Sequence, residues 1–148
     1  MKWLIFSLLA LGCSDPMPPP MTDLEVTWCF DLPEADAPFF QDAMEEWNSK
    51  TVTTWKRDES NCQRHIIMVD PGDPVLHGHV GYSPHDIFYQ SNIKGNELKN
   101  LARHELGHIA NLPHSEDQKD IMYPSVGTGI VQLSDHDVEV FFQTNWKH

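Results

Sequence analysis

The spacing of three histidines in the segment HELGHIANLPH limits how this chain can fold more than any other feature of its sequence. His104 and His108 are four residues apart, so on a helix their imidazoles project from the same face. His114 lies six residues further along, and the proline directly before it cannot continue that helix. The chain must therefore turn back between them. Asn111 is predicted at the turn because Asn tolerates the left-handed backbone conformation better than most residues that carry a side chain.

Three imidazoles brought together in this way predict a metal site. Zinc is held by histidine nitrogens at about 2.0–2.1 Å, and three protein ligands leave a fourth position open to water, which is typical of a catalytic rather than a structural site. Glu105 follows the first histidine but lies off the stripe of ligands, so its carboxylate is placed to reach a water on the metal. The alternative, a helix with solvated or core histidines, explains neither the glutamate nor the third histidine.

The rest of the sequence predicts one α+β (mixed α/β) domain: a five-stranded twisted mixed sheet with a backing helix, the histidine-bearing helix and a C-terminal helix. A chain of 148 residues with 40% hydrophobic residues can form one core. Leu98, Ala102, Leu106 and Ile109 form an apolar stripe on the histidine-bearing helix, which should leave the histidines on the other side. The predicted strands are 24–30, 51–55, 64–69, 78–83 and 86–90, and the predicted helices are 38–49, 96–110 and 134–146.

Helix caps can be predicted from the polar residues that precede each helix. Asp36 and Asn96 are expected to cap the first two helices. Ser134 and Asp137 have the spacing of a capping box at the start of the third.

The first residues predict export. Residues 1–12 have the pattern of a signal peptide, one lysine before an apolar run that is too short to span a bilayer. The string LLALGC resembles a bacterial lipobox, which predicts a lipid on Cys13; an ordinary secretory signal is the alternative. Residues 13–23 would form a proline-rich tether, and residues 24–148 the folded domain. We expect the protein to be anchored to a bacterial membrane, on its periplasmic or cell-surface face, or otherwise secreted.

Two cysteines remain once Cys13 is assigned to the lipid. In an oxidising compartment Cys29 and Cys62 favour a disulfide, and two buried thiols are the alternative.

The motif HExxHxxNxxH, followed by Ser115 and the string IMYP, resembles the metzincin zinc peptidases of the matrixin type, whose own motif has Gly at the position of Asn111. In this resemblance three histidines match the zinc ligands, Glu105 the general base and Met122 the residue of the Met-turn. The ligands are His104, His108 and His114. Residues 133–146 are similar to the matrixin C-terminal helix, which places Asp137 below the Met-turn.

The resemblance implies a zinc-dependent endopeptidase with one catalytic zinc, in which Glu105 assists the attack of a zinc-bound water on the peptide bond. The substrate would pair with an edge strand of the sheet, formed here by His79, Val80, Gly81 and Tyr82. Residues 125–132 would form a wall of the pocket just after the cleavage point. A surface lipoprotein that uses zinc only for stability and binds peptides without cleaving them is the alternative function.

The net charge of −12 argues against nucleic-acid partners and against electrostatic binding to anionic lipid. Contact with a membrane is therefore expected only through the lipid anchor. The resemblance implies a peptide or protein substrate, and we expect a monomer.

Further metal sites are possible but less favoured. The resemblance to matrixins implies that a structural zinc could be built partly from the region of His77, His79 and His85, but it would also need a His-x-Asp pair in the preceding loop 70–75, which has no histidine. Surface or edge-strand histidines are therefore the favoured interpretation. Asp70 and Asp73 could bind calcium, although a solvated turn is the simpler interpretation.

Overall fold

The computed structural model describes residues 23–71, 86–129 and 132–146, together with the backbone of residues 79–80. The predicted signal peptide, Cys13 and almost all of the tether lie outside the described residues, as do Gly81 and Tyr82. Within the described residues no helix is long and apolar enough to cross a membrane. The elements are β1 Thr27–Asp31, α1 Ala37–Lys50, β2 Lys56–Arg57, β3 Arg64–Val69, β4 His79–Val80, β5 Ile87–Gln90, α2 Gly95–Ile109 and α3 Asp135–Asn145.

The strands form one five-stranded sheet in the order β2-β1-β3-β5-β4. The first three junctions are parallel, and β4 pairs antiparallel with β5 at the edge of the sheet. The predicted mixed sheet with three helices is therefore confirmed. The position of β4 also makes it an edge strand, as expected from the sequence.

The prediction of a strand at 51–55 is wrong, because β2 begins only at Lys56. The side chain of Asn48, near the end of α1, binds this segment instead. Its Oδ1 accepts the backbone N–H of Trp55 at 3.0 Å and the hydroxyl of Thr53 at 2.8 Å. These bonds hold the segment against the end of α1 in an irregular conformation.

The two single-residue cap predictions are also wrong. Asp36 does precede α1, but its carboxylate makes no capping bond and instead accepts the Tyr89 hydroxyl at 2.8 Å and the Lys94 ammonium at 2.7 Å. Helix α2 begins one residue before Asn96, at Gly95, whose φ of +58° suits glycine. The capping box of α3 forms as predicted.

Helix α2 is fixed to α1 through buried polar contacts as well as apolar packing. The indole of the fully buried Trp47 donates to the carbonyl of Arg103 at 3.0 Å. The Arg103 guanidinium in turn pairs with Glu46 on α1. Because Arg103 directly precedes His104, this contact sets the position of the helix segment that carries the first histidine.

Cys29 and Cys62 are joined in a disulfide, in agreement with the expectation from their number. The bond connects β1 to the segment before β3 and closes a loop across 33 positions of the sequence. It lies on the sheet, away from the histidine-bearing helix.

Candidate metal centre

The chain reverses after α2 at the predicted residue. Asn111 has a φ of +64° and is the one non-glycine with positive φ in the described part of the chain. The Leu112 N–H donates to the Gly107 carbonyl at 3.0 Å, and the Asn111 N–H donates to the His108 carbonyl at 2.9 Å. These bonds satisfy the last carbonyls of the helix and direct the chain back along it.

The reversal brings the three histidine rings together. The Nε2 atom of His108 lies 3.1 Å from Nε2 of His104 and 3.1 Å from Nε2 of His114. Tetrahedral zinc with bonds of 2.0–2.1 Å would hold its nitrogens about 3.3 Å apart. The triad is therefore nearly at the spacing that a bound metal needs.

The Nδ1 atoms of His104 and His108 show which nitrogen of each ring carries the proton. Nδ1 of His104 lies 2.7 Å from the Ile121 carbonyl, and Nδ1 of His108 lies 3.0 Å from the Leu112 carbonyl. A carbonyl can only accept, so each Nδ1 carries the proton and each Nε2 presents an electron pair. Burial, with a smaller contribution from His114, lowers the pKa of His104 to about 4, so this ring is neutral near pH 7. Two such electron pairs 3.1 Å apart favour a cation between them, and the donor set fits a divalent metal.

Helix α2 is more enclosed than its apolar stripe suggested. The four predicted stripe residues are buried, but His104 and Glu105 are also fully buried. The side of the helix that carries His104 is therefore also enclosed, although the stripe predicted only that the histidines lie on the other side. The chain after Asn111 folds back over this side and covers it.

The Met-turn packs directly against α2. A Cβ atom added to Gly107 would overlap the Met122 sulfur and lie 3.3 Å from the Trp47 ring, so a side chain here, between the two ligand positions of the helix, would force the end of the Met122 side chain to shift. The Asp137 carboxylate accepts the backbone N–H of Ile121 at 2.9 Å and of Met122 at 3.3 Å. Asp137 thus supports the turn from α3, as the sequence suggested.

Asp120 forms a second support that the sequence analysis missed. Its buried carboxylate accepts from the hydroxyls of Ser115 and Ser134 and from the His136 ring. Burial alone would raise the pKa of Asp120, but these bonds outweigh it and lower the pKa. The network ties the residue after His114 to the first turn of α3. No spacing rule predicts it, because its members come from three separate segments.

A cavity of about 390 Å³ opens beside Ile121 and the first turns of α2. The loop predicted to form a wall does contribute through residues 125–129, within the described residues. Asn100, which the sequence analysis did not select, holds this loop by donating to the carbonyls of Gly127, at 2.8 Å, and Gly129. The lining includes Asn100, Gln118, Asp120, Ile121, Tyr123 and Val126.

Other residues weighed from the sequence lie in β4 or outside the described residues. In β4, His79 and Val80 pair with Phe88 and Ile87 of β5, and the backbone of this strand contacts α2. Asp73, His77 and His85 lie outside the described residues.

Comparison with known proteins agrees with this geometry. A family model described as matrixin matches residues 30–144, more than three quarters of the chain. The chain belongs to the matrixin family.

Curated relatives of this matrixin match over short stretches. Metalloendoproteinase 2-MMP of Arabidopsis thaliana is 44% identical over 45 residues, 29% of this chain and 12% of the relative. Interstitial collagenase of Aquarana catesbeiana is 41% identical over 51 residues, 34% of this chain and 13% of the relative. The corresponding protein of Sus scrofa is 42% identical over 52 residues, 34% and 11% of the two chains. The matched stretches span about an eighth of the relatives' length.

Substituting Gly107 tests whether the close approach of α2 to the Met-turn holds the site. We expect Gly107→Ala to displace Met122 and to destabilise the matrixin fold by about 1–3 kcal/mol, as overpacking does. This exceeds the roughly 0.5–1 kcal/mol that alanine gains over glycine inside a helix. Thermal unfolding and zinc titration would measure the effect.

Gly127→Ala is the matched control, because a Cβ there meets nothing within 4 Å. An unchanged stability and zinc affinity in Gly107→Ala would contradict the proposed packing constraint.

The pair of His136 and Asp120 predicts a pH dependence of stability. The hydrogen bond to Asp120, and then its charge, raise the pKa of His136 above the usual value of about 6.5. When the pKa of a histidine is higher in the folded than in the unfolded protein, its protonation stabilises the folded state. This stabilisation is complete well below pH 6.5 and is lost as the pH rises through the pKa of the folded state. His136→Gln should therefore cost more stability at pH 6 than at pH 9 in thermal unfolding.

The exposed Gln143→Ala variant on the same helix should follow the wild-type pH dependence. An equal loss of stability at both pH values in His136→Gln would refute the charged pair.

Proposed function

We propose that this domain is a zinc-dependent endopeptidase. The observation that carries the proposal is the convergence of three histidine Nε2 atoms, with two rings oriented through Nδ1 by backbone carbonyls. His104, His108 and His114 would hold the zinc, which when bound supplies Lewis acidity to activate water and polarise the substrate carbonyl. Membership of the matrixin family supports the same activity.

Glu105 is the proposed general base. It follows the first ligand on α2 and is fully buried, so its carboxylate is surrounded by protein rather than by solvent. It would accept a proton from the attacking water and later deliver it to the leaving amine. Both transfers need a carboxylate in a fixed place, which the packed helix provides.

The substrate is proposed to be a peptide segment that extends the sheet at β4. Edge strands can accept a peptide through backbone hydrogen bonds, and β4 borders the helix that carries the first two ligands. The proposed contact strand is the predicted one, His79, Val80, Gly81 and Tyr82. The cavity beside Ile121 would then receive the side chain that follows the cleaved bond, with Asn100 fixing the loop that encloses it.

Replacing Glu105 separates catalysis from metal binding. We expect Glu105→Ala to lower peptide hydrolysis by at least about 10²–10⁴-fold, because the proton transfer is lost. The variant should still bind one zinc per chain, because the three histidines remain. Cleavage of a peptide library and metal analysis of the same preparation would measure both.

Glu116→Ala is the control, since Glu116 is exposed and should leave both properties unchanged. Equal cleavage by Glu105→Ala and wild type would contradict the mechanism. A wild-type protein that binds zinc and peptide without cleaving it would instead favour the zinc-stabilised binding protein, and none or two zinc ions per chain would contradict the single catalytic site.

We also propose export and lipid anchoring at Cys13, with residues 13–23 as the tether of a monomeric domain. The proposal rests on the lipobox-like string before Cys13 and on the proline-rich composition that follows it. Two or more acyl chains at one cysteine would be enough for stable attachment to a membrane.

Expression in a bacterial host with radiolabelled palmitate tests the anchor. Cys13→Ser should abolish incorporation of the label and move the protein from the detergent phase to the aqueous phase, while Ser14→Ala should retain both properties. Labelling of Cys13→Ser at the wild-type level would exclude this residue as the lipid site.

A further inference from the structure

A second group of potential metal ligands lies on the sheet, apart from the histidine triad. It consists of Cys29 on β1, Cys62 before β3 and His65 on β3, and one ligand atom of each lies within 4.8 Å of the others. Cys29 and His65 are register partners on neighbouring parallel strands. The two backbone strands therefore fix the relative positions of two of the three side chains.

His65 is oriented toward the sulfurs by a carboxylate. Its Nδ1 lies 2.7 Å from an oxygen of Asp31, and its Nε2 lies 3.8 Å from the Cys62 sulfur. Since the carboxylate accepts, the contact orients Nδ1 toward Asp31 and places Nε2 on the side of the cysteines, where the neutral ring would present an electron pair. A carboxylate behind a histidine in this way is the usual outer contact of a histidine that ligates a metal.

We propose that the reduced form of Cys29 and Cys62, together with His65, is a binding site for a thiophilic divalent cation such as zinc. Two thiolates and one imidazole are a donor set that zinc prefers, and water would complete the coordination. The side chain of His65 is 41% exposed, which leaves the cluster open to a reductant and to an ion. The inference does not depend on the proposed peptidase activity.

A dithiol can convert the disulfide form of Cys29 and Cys62 to the reduced form. Two electrons from the dithiol break the bond between Cys29 and Cys62, the dithiol becomes a cyclic disulfide, and its two protons pass to the cysteine sulfurs. Binding of the cation then displaces these two protons. In either form a covalent or coordinate link connects β1 to the segment before β3.

Cobalt absorption can test this site separately from the triad. In a Cys13→Ser background Cys29 and Cys62 are the remaining cysteines, and thiolate ligands give sulfur-to-cobalt charge-transfer absorption that a site of histidines alone cannot give. The triad is first filled with zinc, and the protein is reduced with dithiothreitol and desalted without oxygen. We expect a band that saturates at one cobalt per chain after reduction, and no band in the oxidised protein.

Variants assign the ligands. Cys29→Ser should abolish the two-thiolate band, and His65→Ala should weaken cobalt binding at least tenfold. Asp31→Asn should weaken it by roughly 10-fold or more, as expected for an outer contact. Gln143→Ala is the control, because Gln143 is exposed on α3 and lies far along the chain from the cysteines, and it should bind cobalt like wild type.

Reduction could loosen the fold, so the unfolding midpoint of the reduced protein is also measured, by circular dichroism, with and without zinc. Zinc should raise the unfolding midpoint of the reduced protein, and should do so much less in His65→Ala. The proposal is overturned if reduced protein gives no charge-transfer band, if His65→Ala binds cobalt as tightly as wild type, or if zinc fails to stabilise the reduced form.

Discussion

The hydrogen bond from the His104 ring to the Ile121 carbonyl joins the parts of the molecule on which the metal centre depends. It fixes which nitrogen of the ring faces the other histidines, and it attaches α2 to the Met-turn. The same turn is held from the other side, because Asp137 accepts the N–H groups of Ile121 and Met122. Hydrogen bonds to a charged carboxylate contribute about 1.5–3 kcal/mol each, so α3 stabilises the orientation of His104 through this turn.

Glu46 on α1 holds α2 and the segment before α3 through its two carboxylate oxygens. One of its oxygens pairs with Arg103, directly before the first ligand, and the other accepts the backbone N–H of Leu133, two residues before the start of α3. Burial alone would raise the pKa of Glu46, but the bonds from Arg103 and Leu133 outweigh it and lower the pKa. A single carboxylate thus fixes both helices that support the site, and the close contact of Gly107 with Met122 leaves little freedom between them.

Predictions from the sequence succeeded where the physical cause is local. The turn at Asn111 depends on its own backbone preference, and the capping box of Ser134 and Asp137 is closed within one helical turn. Predictions failed where a distant group competed for the same atoms. Asp36 was expected to cap α1, but Tyr89 and Lys94, more than 50 residues away, bind its carboxylate instead. The strand expected at 51–55 failed for a nearer reason, because Asn48, seven residues before Trp55, binds the Trp55 N–H.

Residue type and spacing were enough to predict the cluster of three histidines, the glutamate between the first two, the reversal of the chain and the disulfide. Each of these follows from residue type and spacing along one segment, or from a count. The tertiary structure alone decided the network of Asp120, the role of Asn100 in holding the pocket loop, and the position of His65 and Asp31 beside the disulfide. The bonds of His136 to Asp120, Asn100 to Gly127 and His65 to Asp31 join residues 16, 27 and 34 positions apart, and the sequence carries no periodicity across such distances. Only the packing of helices and strands brings those side chains within hydrogen-bonding range.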